Sequence, residues 1–351
     1  MTAPDRRRCV VPPYLLRAVA AAEEHPRAAS AARTALAEIT VVAAPKHEHR
    51  VRRQGVTGSV DRSPQRTIAD ADATTTLPGT VVRREGDPDT GDAAVDEAYA
   101  GLGATHAFWL DVFGRASIDG VGLPLDATVH YGQDYDNAYW DGRRMVFGDG
   151  DGEVFERFTI ALDVIGHELA HGVTQYTADL TYEGQSGALN ESVSDVFGSL
   201  VAQYAAGQTA DQASWLIGAG LFTDAVRGVA LRSMRAPGTA YDDPVLGKDP
   251  QPATMADYVE TTEDSGGVHL NSGIPNRAFF LAATAIGGYA WQGAGAVWWD
   301  ALTSAETTEG IDFAGFARVT LDAAARRFGR DSAQRTAVHD AWRAVGVRSG
   351  S

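Results

Sequence analysis

Several features that are scarce in the sequence limit what the protein can be. It has one cysteine, Cys9, among 351 residues, so no disulfide can form within the chain. It has no apolar run approaching about 18 residues, which argues against a membrane-spanning helix. Lys and Arg number 30 against 46 Asp and Glu, and the formal net charge is −16. Because an acidic surface repels phosphates, this charge disfavours a general nucleic-acid-binding protein.

The N-terminus also lacks the apolar core of a secretory signal peptide. Arg6, Arg7 and Arg8 resemble the basic start of such a signal, but Arg17 interrupts the apolar residues that follow. We therefore expect a protein that is cytoplasmic as made, or one that is secreted by an unconventional route.

Charge is distributed unevenly along the chain. Residues 1–53 contain ten Lys or Arg and five Asp or Glu, so this basic head carries +5 and the remainder, by difference, −21. Opposite charges attract, and we expect the head to lie against the acidic body of its own chain. The alternative is a solvated basic arm without a partner.

The hydrophobic pattern predicts an α+β protein in two lobes. Periods of 3.6 residues predict helices over 14–40, 155–178, 188–206, 211–228, 272–287, 293–306, 312–328 and 332–345. Residues 41–90 read as a linker that runs into short strands, and 91–150 mix strand-like and helical pieces. A mixed first half and a helical second half are typical of a sheet-rich N-terminal lobe followed by a helical C-terminal lobe.

The most informative motif is His167-Glu168-Leu169-Ala170-His171. Residues four apart share one face of a helix, so the two imidazoles can reach one metal ion. Glu168 lies beside that face, where it can act on a metal-bound water without binding the metal.

A second motif, Asn190-Glu191-Ser192-Val193-Ser194-Asp195, supports a metal site. A catalytic zinc ion takes three protein ligands and keeps one position open, and Glu191 can be the third ligand if the connection at 179–187 makes the two helices antiparallel. Asp195 lies on the same helix face and can accept a hydrogen bond from a ligand imidazole. Together the two patterns favour a zinc site over ordinary polar residues of a helix.

These motifs resemble the thermolysin family of zinc metallopeptidases. The resemblance extends to Asp136–Trp140, Met145–Gly150, Leu231–Met234 and Asp264–Gly273, and it runs from about residue 78 to the C-terminus. The segment Val11-Pro12-Pro13-Tyr14-Leu15 resembles the Pro-Pro-Tyr motif in precursors of the protealysin-like branch of that family.

The resemblance implies the organisation and the activity of the chain. It implies a propeptide at 1–50, an N-terminal catalytic lobe at 51–185 that contains the first motif, and a helical C-terminal lobe at 186–351. The activity implied is that of a latent endopeptidase with Zn²⁺ as cofactor. Its partners would be peptide or protein substrates and its own propeptide in cis.

The resemblance also assigns roles at the catalytic centre. The zinc ligands would be His167, His171 and Glu191, with Asn190 and Asp195 behind them. Glu168 would take the proton of the attacking water and pass it to the leaving nitrogen. Tyr182 and His269 would stabilise the oxyanion, and Asp264 would orient or charge His269.

Further residues are assigned to substrate binding. Asn137 and Ala138 match the strand that pairs with the substrate backbone, and Arg232 would contact the carbonyl just past the scissile bond. An apolar pocket for the residue after the cut would be lined by Phe155, Val164 and Leu231. Core packing would explain these three apolar residues equally well.

Simpler alternatives remain for some of these residues. His269 could be a loop histidine and Tyr182 a core residue. Cys9 could cap the zinc as a thiolate, or it could be a small buried apolar residue.

Calcium binding is uncertain. Asp163 matches one acid of thermolysin's double calcium site, but Ala202 stands where an acid is expected, and 203–223 offer only Asp211. Several oxygen ligands are needed to hold calcium, so the double site is expected to be absent.

Two other functions compete with the peptidase. One is a catalytically silent, zinc-containing peptide-binding module, and the other is a metal-dependent hydrolase of non-peptide substrates. The presence of Glu168, Tyr182 and His269 argues against the first, because a silent module needs none of them. The peptide-pairing signature at Asn137 and Ala138 argues against the second.

Overall fold

The computed structural model describes residues 8–41 and 62–348. Its strands are β1 (Arg8–Cys9), β2 (Arg66–Asp70), β3 (Thr80–Arg84), β4 (Leu125–Val129), β5 (Ala138–Trp140), β6 (Met145–Phe147), β7 (Leu216–Ile217), β8 (Arg232–Ser233), β9 (Asp242–Asp243) and β10 (Gly247–Lys248). Its helices are α1 (Pro13–Ala20), α2 (Pro26–Val41), α3 (Ala93–Phe113), α4 (Leu162–Gln175), α5 (Gly184–Ala206), α6 (Asp264–Asn271), α7 (Gly273–Ile286), α8 (Ala294–Leu302), α9 (Phe313–Phe328) and α10 (Ala333–Ala344). The predicted α+β class, with a sheet in the N-terminal lobe and helices in the C-terminal lobe, is confirmed. Within the described residues, no helix is both long enough and apolar enough to cross a bilayer.

The larger sheet has six strands in the order β1-β5-β6-β4-β2-β3. Strand β4 lies parallel to both β2 and β6, and the remaining pairs are antiparallel. The outermost strand, β1, comes from the basic head, and it places Arg8 opposite Trp140 and Cys9 opposite Tyr139. The head therefore contacts the body through backbone pairing, which its charge alone does not predict.

Helix α3 connects the sheet to the second lobe. It begins where Asp92 accepts hydrogen bonds from the N–H groups of Ala94 and Val95, and it ends at Gly114, which adopts a left-handed φ of 65°. Trp109 on its buried face packs on Phe197 of α5, with ring centroids 4.7 Å apart. The two lobes thus share one hydrophobic core.

Small residues allow α4 and α5 to approach closely. A Cβ atom at Gly198 would lie 2.3 Å from the carbonyl oxygen of Asp163, and one at Gly166 would lie 3.0 Å from the Cα of Gly198. A side chain at Gly198 would therefore force the helices apart. The two metal-binding motifs lie on these helices, so their separation depends on this contact.

Two of the helix predictions are wrong. Residues 211–228 form turns and strand β7 rather than a helix, because β7 pairs with β8 and because Gly218 and Gly220 have φ values of 71° and 86°. The helix predicted from residue 155 begins only at Leu162, since Phe158–Ile160 form a separate 3₁₀ turn. Alanine-rich composition does not reveal either strand pairing or a left-handed glycine.

One histidine links three parts of the N-terminal lobe. The Nδ1 atom of His130, after β4, lies 2.8 Å from Asp149, and its Nε2 atom lies 3.1 Å from Asp92, the cap of α3. The hydrogen bond with Asp149 outweighs the effect of partial burial and raises the pKa of His130 to about 9.

This raised pKa predicts a stability that depends on pH. The unfolded value is about 6.5, so the protonated imidazole stabilises the fold fully below that pH and loses its effect as the pH rises through about 9. We expect His130→Ala to lower the free energy of unfolding by about 1 kcal/mol near pH 6, and by much less near pH 10. Urea unfolding at the two pH values measures this, with His339→Ala as the exposed control. Equal losses at both pH values would contradict the interpretation.

Candidate metal centre and active site

Helices α4 and α5 bring three candidate metal ligands together. His167 and His171 lie one turn apart on α4, and Glu191 faces them from α5, all three being buried. The Nε2 atoms of the two histidines are 3.1 Å apart. The carboxylate oxygens of Glu191 lie 3.4 Å from the Nε2 of His171 and 3.6 Å from that of His167.

These distances fit a zinc ion. Ligands about 2.0–2.1 Å from a tetrahedral zinc are separated from one another by about 3.3–3.4 Å, close to the three observed separations. The Oε2 atom of Glu191 is also buried without a hydrogen-bond donor among the described residues. Buried carboxylate oxygens require such a partner or a cation. His167, His171 and Glu191 would therefore hold the zinc.

The opposite edges of the two imidazoles are held by α5. The Nδ1 atom of His167 lies 2.8 Å from Asp195, and that of His171 lies 2.8 Å from the side-chain oxygen of Asn190. The hydroxyl oxygen of Ser194 is a further 3.0 Å neighbour of the same His171 atom. With Nδ1 engaged in this way, each ring presents Nε2 to the metal position.

Asp195 is a junction of four elements. Besides His167, it accepts hydrogen bonds from Nε and Nη2 of Arg232 in β8, at 2.9 and 2.8 Å, and from the amide of Asn276 in α7 at 2.8 Å. Burial alone would raise the pKa of Asp195, but Arg232 and then His167 outweigh it and hold the pKa well below its usual range. The carboxylate is therefore charged, and it binds the back of a metal-ligand ring.

Glu168 contacts strand β5, which lies next to the outermost strand of the sheet. Its side chain is buried, and its Oε2 atom accepts a hydrogen bond of 2.9 Å from the backbone N–H of Trp140 in β5. This bond orients the carboxylate beside the metal ligands without making it one of them.

Tyr182 and His269 meet on the other side of the ligand group. The Tyr182 hydroxyl donates to Glu191 and lies 3.4 Å from Nε2 of His269. Asp264 accepts from the backbone N–H of His269 at 2.9 Å and lies 2.7 Å from its Nδ1 atom. Burial lowers the pKa of His269, but Asp264 and Glu191 outweigh this effect and raise the pKa to about 9.

The glycine-rich stretch explains how Asp264 reaches His269. It forms the start of α6, where Ser265, Gly266 and Gly267 have φ values of 51°, 83° and 75°. Such left-handed conformations suit glycine and fold the chain back on itself. The pairing of Asp264 with His269 is therefore local.

The residues expected to bind substrate contact the head. Ala138 accepts a hydrogen bond from the N–H of Val10 at 3.2 Å, and Asn137 accepts one from the N–H of Val11 at 3.0 Å. Arg232 donates to the carbonyl oxygen of Val10 at 2.8 Å. The three residues expected to line the apolar pocket are fully buried: Phe155, Val164 and Leu231.

Cys9 approaches the site through its backbone. Its carbonyl oxygen lies 3.0 Å from Nε2 of His269, and its side chain is buried. Among the described residues, the group of candidate metal ligands does not include the Cys9 thiol. The contact therefore supports the interpretation of Cys9 as a small buried residue rather than as a thiolate cap on zinc.

Two supporting residues were missed by sequence reasoning. Ser194 follows Asn190 by four residues, and this helix spacing, which places both side chains beside His171, was the signal that could have found it. Asn276 lies 81 positions from Asp195 and carries no motif of its own. Only the three-dimensional fold brings Asn276 to Asp195.

Asp163, the residue that matches a calcium ligand, forms hydrogen bonds with the backbone. Both carboxylate oxygens of Asp163 accept backbone hydrogen bonds, one from Val164 and one from Gly218, each of 2.9 Å. Ala202 and Gln203 line a cavity of about 220 Å³ beside it. The described residues hold no second group of three candidate metal ligands, so calcium binding stays without support.

Metal ligands and supporting residues should differ in their effect on zinc. We expect Glu191→Ala to lose zinc on dialysis, because it removes a ligand, and Asp195→Asn to weaken zinc affinity by about 10- to 100-fold. Metal analysis of the dialysed proteins tests this order. Glu183→Ala, an exposed acid beside the start of α5, is the control. Zinc content equal to wild type in Glu191→Ala would remove Glu191 from the ligand set.

The chain is similar in sequence and structure to known proteases. It is 58% identical over 282 residues to the "Extracellular metalloprotease" of Pectobacterium carotovorum subsp. carotovorum, which covers 80% of this chain and 81% of the relative. It is 53% identical to "Protease PrtS" of Photorhabdus sp. (strain Az29), covering 81% of this chain and 76% of the relative. The solved structure of the precursor of protealysin, a metalloproteinase from Serratia proteamaculans, matches 97% of this chain and 99% of its own, with a TM-score of 0.88 and 54% identity.

The prediction of a cytoplasmic protein is wrong. A relative that matches four fifths of the chain is named an extracellular metalloprotease. The prediction depended on the lack of an apolar run after Arg8, and this one feature does not decide the compartment.

Two family models cover most of the chain. The model described as "Thermolysin metallopeptidase, catalytic domain" matches residues 56–175, and the model described as "Thermolysin metallopeptidase, alpha-helical domain" matches residues 178–347. The metal ligands lie on the two helices that adjoin this division. The chain belongs to the thermolysin family of zinc metalloendopeptidases.

Proposed function

We propose that the chain is the latent precursor of an endopeptidase that cuts on the amino side of large apolar residues. This proposal depends on one observation, which is that four groups lie together in the structure. The buried Glu168 carboxylate, three candidate metal ligands and the Tyr182–His269 pair meet where the backbone of the head lies along β5.

The catalytic roles follow from the contacts of each side chain. Bound zinc would supply a polarised water and a Lewis acid. Glu168, oriented by the N–H of Trp140, takes a proton from water and returns it to the leaving nitrogen. His269 carries its proton under the influence of Asp264, so it donates to the developing oxyanion together with Tyr182.

The substrate would pair with β5 as the head does. Ala138 and Asn137 offer acceptors to successive backbone N–H groups, and Arg232 offers a donor to a carbonyl. Backbone contacts of this kind bind peptides irrespective of sequence. Selectivity then depends on the apolar side chains of Phe155, Val164 and Leu231, which favour Leu, Phe or Ile after the cut.

Latency would come from the head. Its strand β1 occupies the same edge of β5, and ion pairs of 2.7 Å (Arg17 with Glu263) and 2.6 Å (Arg27 with Asp134) hold its helices to the body. The boundaries at residues 50 and 185 stay predictions. We also expect the maturation cut within residues 43–56, which mix small, basic and apolar residues and lie outside the described residues.

The name of the Pectobacterium relative also suggests where the enzyme works. We infer that the mature form acts outside the cell on peptides or proteins.

The general base can be tested directly. We expect Glu168→Gln to retain zinc and to lose peptidase activity by about 10²- to 10⁴-fold, because it keeps the shape but cannot accept the proton. If maturation is a self-cut, this variant also stays at full length. Hydrolysis of a labelled peptide, with zinc content measured in parallel and a chelator-treated wild type as reference, separates an enzyme from a silent binding module. Near wild-type cleavage by zinc-loaded Glu168→Gln would refute the role.

The pocket makes a separate prediction about specificity. One methylene in an apolar pocket is worth about 1–3 kcal/mol, so the preference for Leu, Phe or Ile after the cut should be graded. We expect Leu231→Ala to shift the preference toward larger residues, since it enlarges the pocket. A peptide-library profile measures both effects. A wild-type profile dominated by charged residues after the cut would contradict the pocket.

A further inference from the structure

The head runs along β5, the strand that the family resemblance assigns to the substrate backbone. Strand β1 is antiparallel to β5, and the next two residues continue along it. The N–H of Val10 donates to Ala138 and that of Val11 donates to Asn137, whose amide nitrogen lies 3.4 Å from the Val11 carbonyl oxygen. Three consecutive residues therefore follow the strand in register.

The carbonyl groups identify which bond of the head occupies the reaction position. The Cys9 carbonyl oxygen lies 3.0 Å from Nε2 of His269, the group placed at the developing oxyanion. The next carbonyl, that of Val10, accepts from Arg232, the residue placed one carbonyl past the cut. The Cys9–Val10 peptide bond thus lies where a scissile bond would lie.

The side chains agree with this register. Val10 is fully buried, as a side chain in an apolar pocket must be. Beyond Val11 the chain leaves the strand, because the carbonyl of Pro12 accepts the N–H groups of Leu15 and Leu16 and so starts α1. Val10 is therefore the residue that a cut at this position would place after the scissile bond.

We propose that the Cys9–Val10 bond is a second cleavage site of this chain, cut by its own active site within the intact precursor. The proposal rests on the proposed peptidase function. Hydrolysis consumes one water, whose oxygen becomes part of a carboxylate on Cys9, while Val10 gains a free amino group.

The cut would leave the rest of the head bound to the body. The ion pairs of Arg17 with Glu263 and of Arg27 with Asp134 remain, as does the hydrogen bond from Arg232 to the Val10 carbonyl oxygen. Removal of residues 1–9 is therefore distinct from the cut expected in the linker, which would release the whole head.

The test follows the intact mass and the N-terminal sequence of the zinc-loaded full chain over time. We expect a form that begins at Val10, at a rate independent of protein concentration because the cut is intramolecular. Glu168→Gln should slow its appearance by about 100-fold or more. Val10→Asp should slow it by about 10-fold or more, since it places a charge in the apolar pocket, whereas Val10→Leu should be cut.

A second measurement does not depend on activity. In zinc-loaded Glu168→Gln, the amide hydrogens of Val10 and Val11 should exchange slowly, because Ala138 and Asn137 accept them. Exchange at unprotected rates would overturn the register. The intramolecular cut would be overturned by a cutting rate that rises with protein concentration, or by one that is unchanged in Glu168→Gln.

The two proposals can fail separately. If the precursor keeps residues 1–9 and the separately prepared mature form cleaves a labelled apolar peptide, the second site is refuted and the peptidase function stands. If the matured, zinc-loaded protein cleaves no peptide, the proposed function fails and the second site fails with it.

Discussion

The rest of the active site depends on one buried carboxylate, that of Asp195. A buried charge is costly unless it is paired and fully hydrogen-bonded. Here the guanidinium of Arg232 supplies the opposite charge, and Asn276 and His167 supply further contacts. Because all of these groups must meet at one carboxylate, the metal-ligand ring and Arg232, which we propose contacts the substrate carbonyl, cannot shift independently.

The same constraint explains the close packing of α4 and α5. His167 can reach both Asp195 and Glu191 only if the helices nearly touch, and Gly198 permits this approach. A wider spacing would leave Asp195 charged without one partner and would separate the three ligands. Metal geometry and helix packing are thus satisfied by the same backbone positions.

The motif residues were predictable because their chemistry is local. The spacing of His167 and His171 gives one helix face, and the structure places Asp195 behind His167, where the spacing from Glu191 led us to expect it. Asn276 was not predictable, because its contact depends on how α7 crosses α5. Residues 211–228 were predicted to be helical because an alanine-rich pattern says nothing of the pairing between β7 and β8. The charge distribution also predicted that the head would lie against the body. Charge, however, does not account for most of that contact.

Charge complementarity contributes little to that contact, because exposed ion pairs such as Arg17 with Glu263 are worth about 0–1 kcal/mol each. Burial is the larger contribution, since Val10 and Val11, which contact Ala138 and Asn137, are wholly removed from solvent and each such side chain is worth about 1.5–3 kcal/mol. The covalent linker adds a further effect by keeping the head at an effective concentration in the millimolar range. Cutting the linker removes this effect without altering any contact between the head and β5. The buried side chains of Val10 and Val11 therefore determine how slowly the severed head leaves, and the linker determines whether it returns.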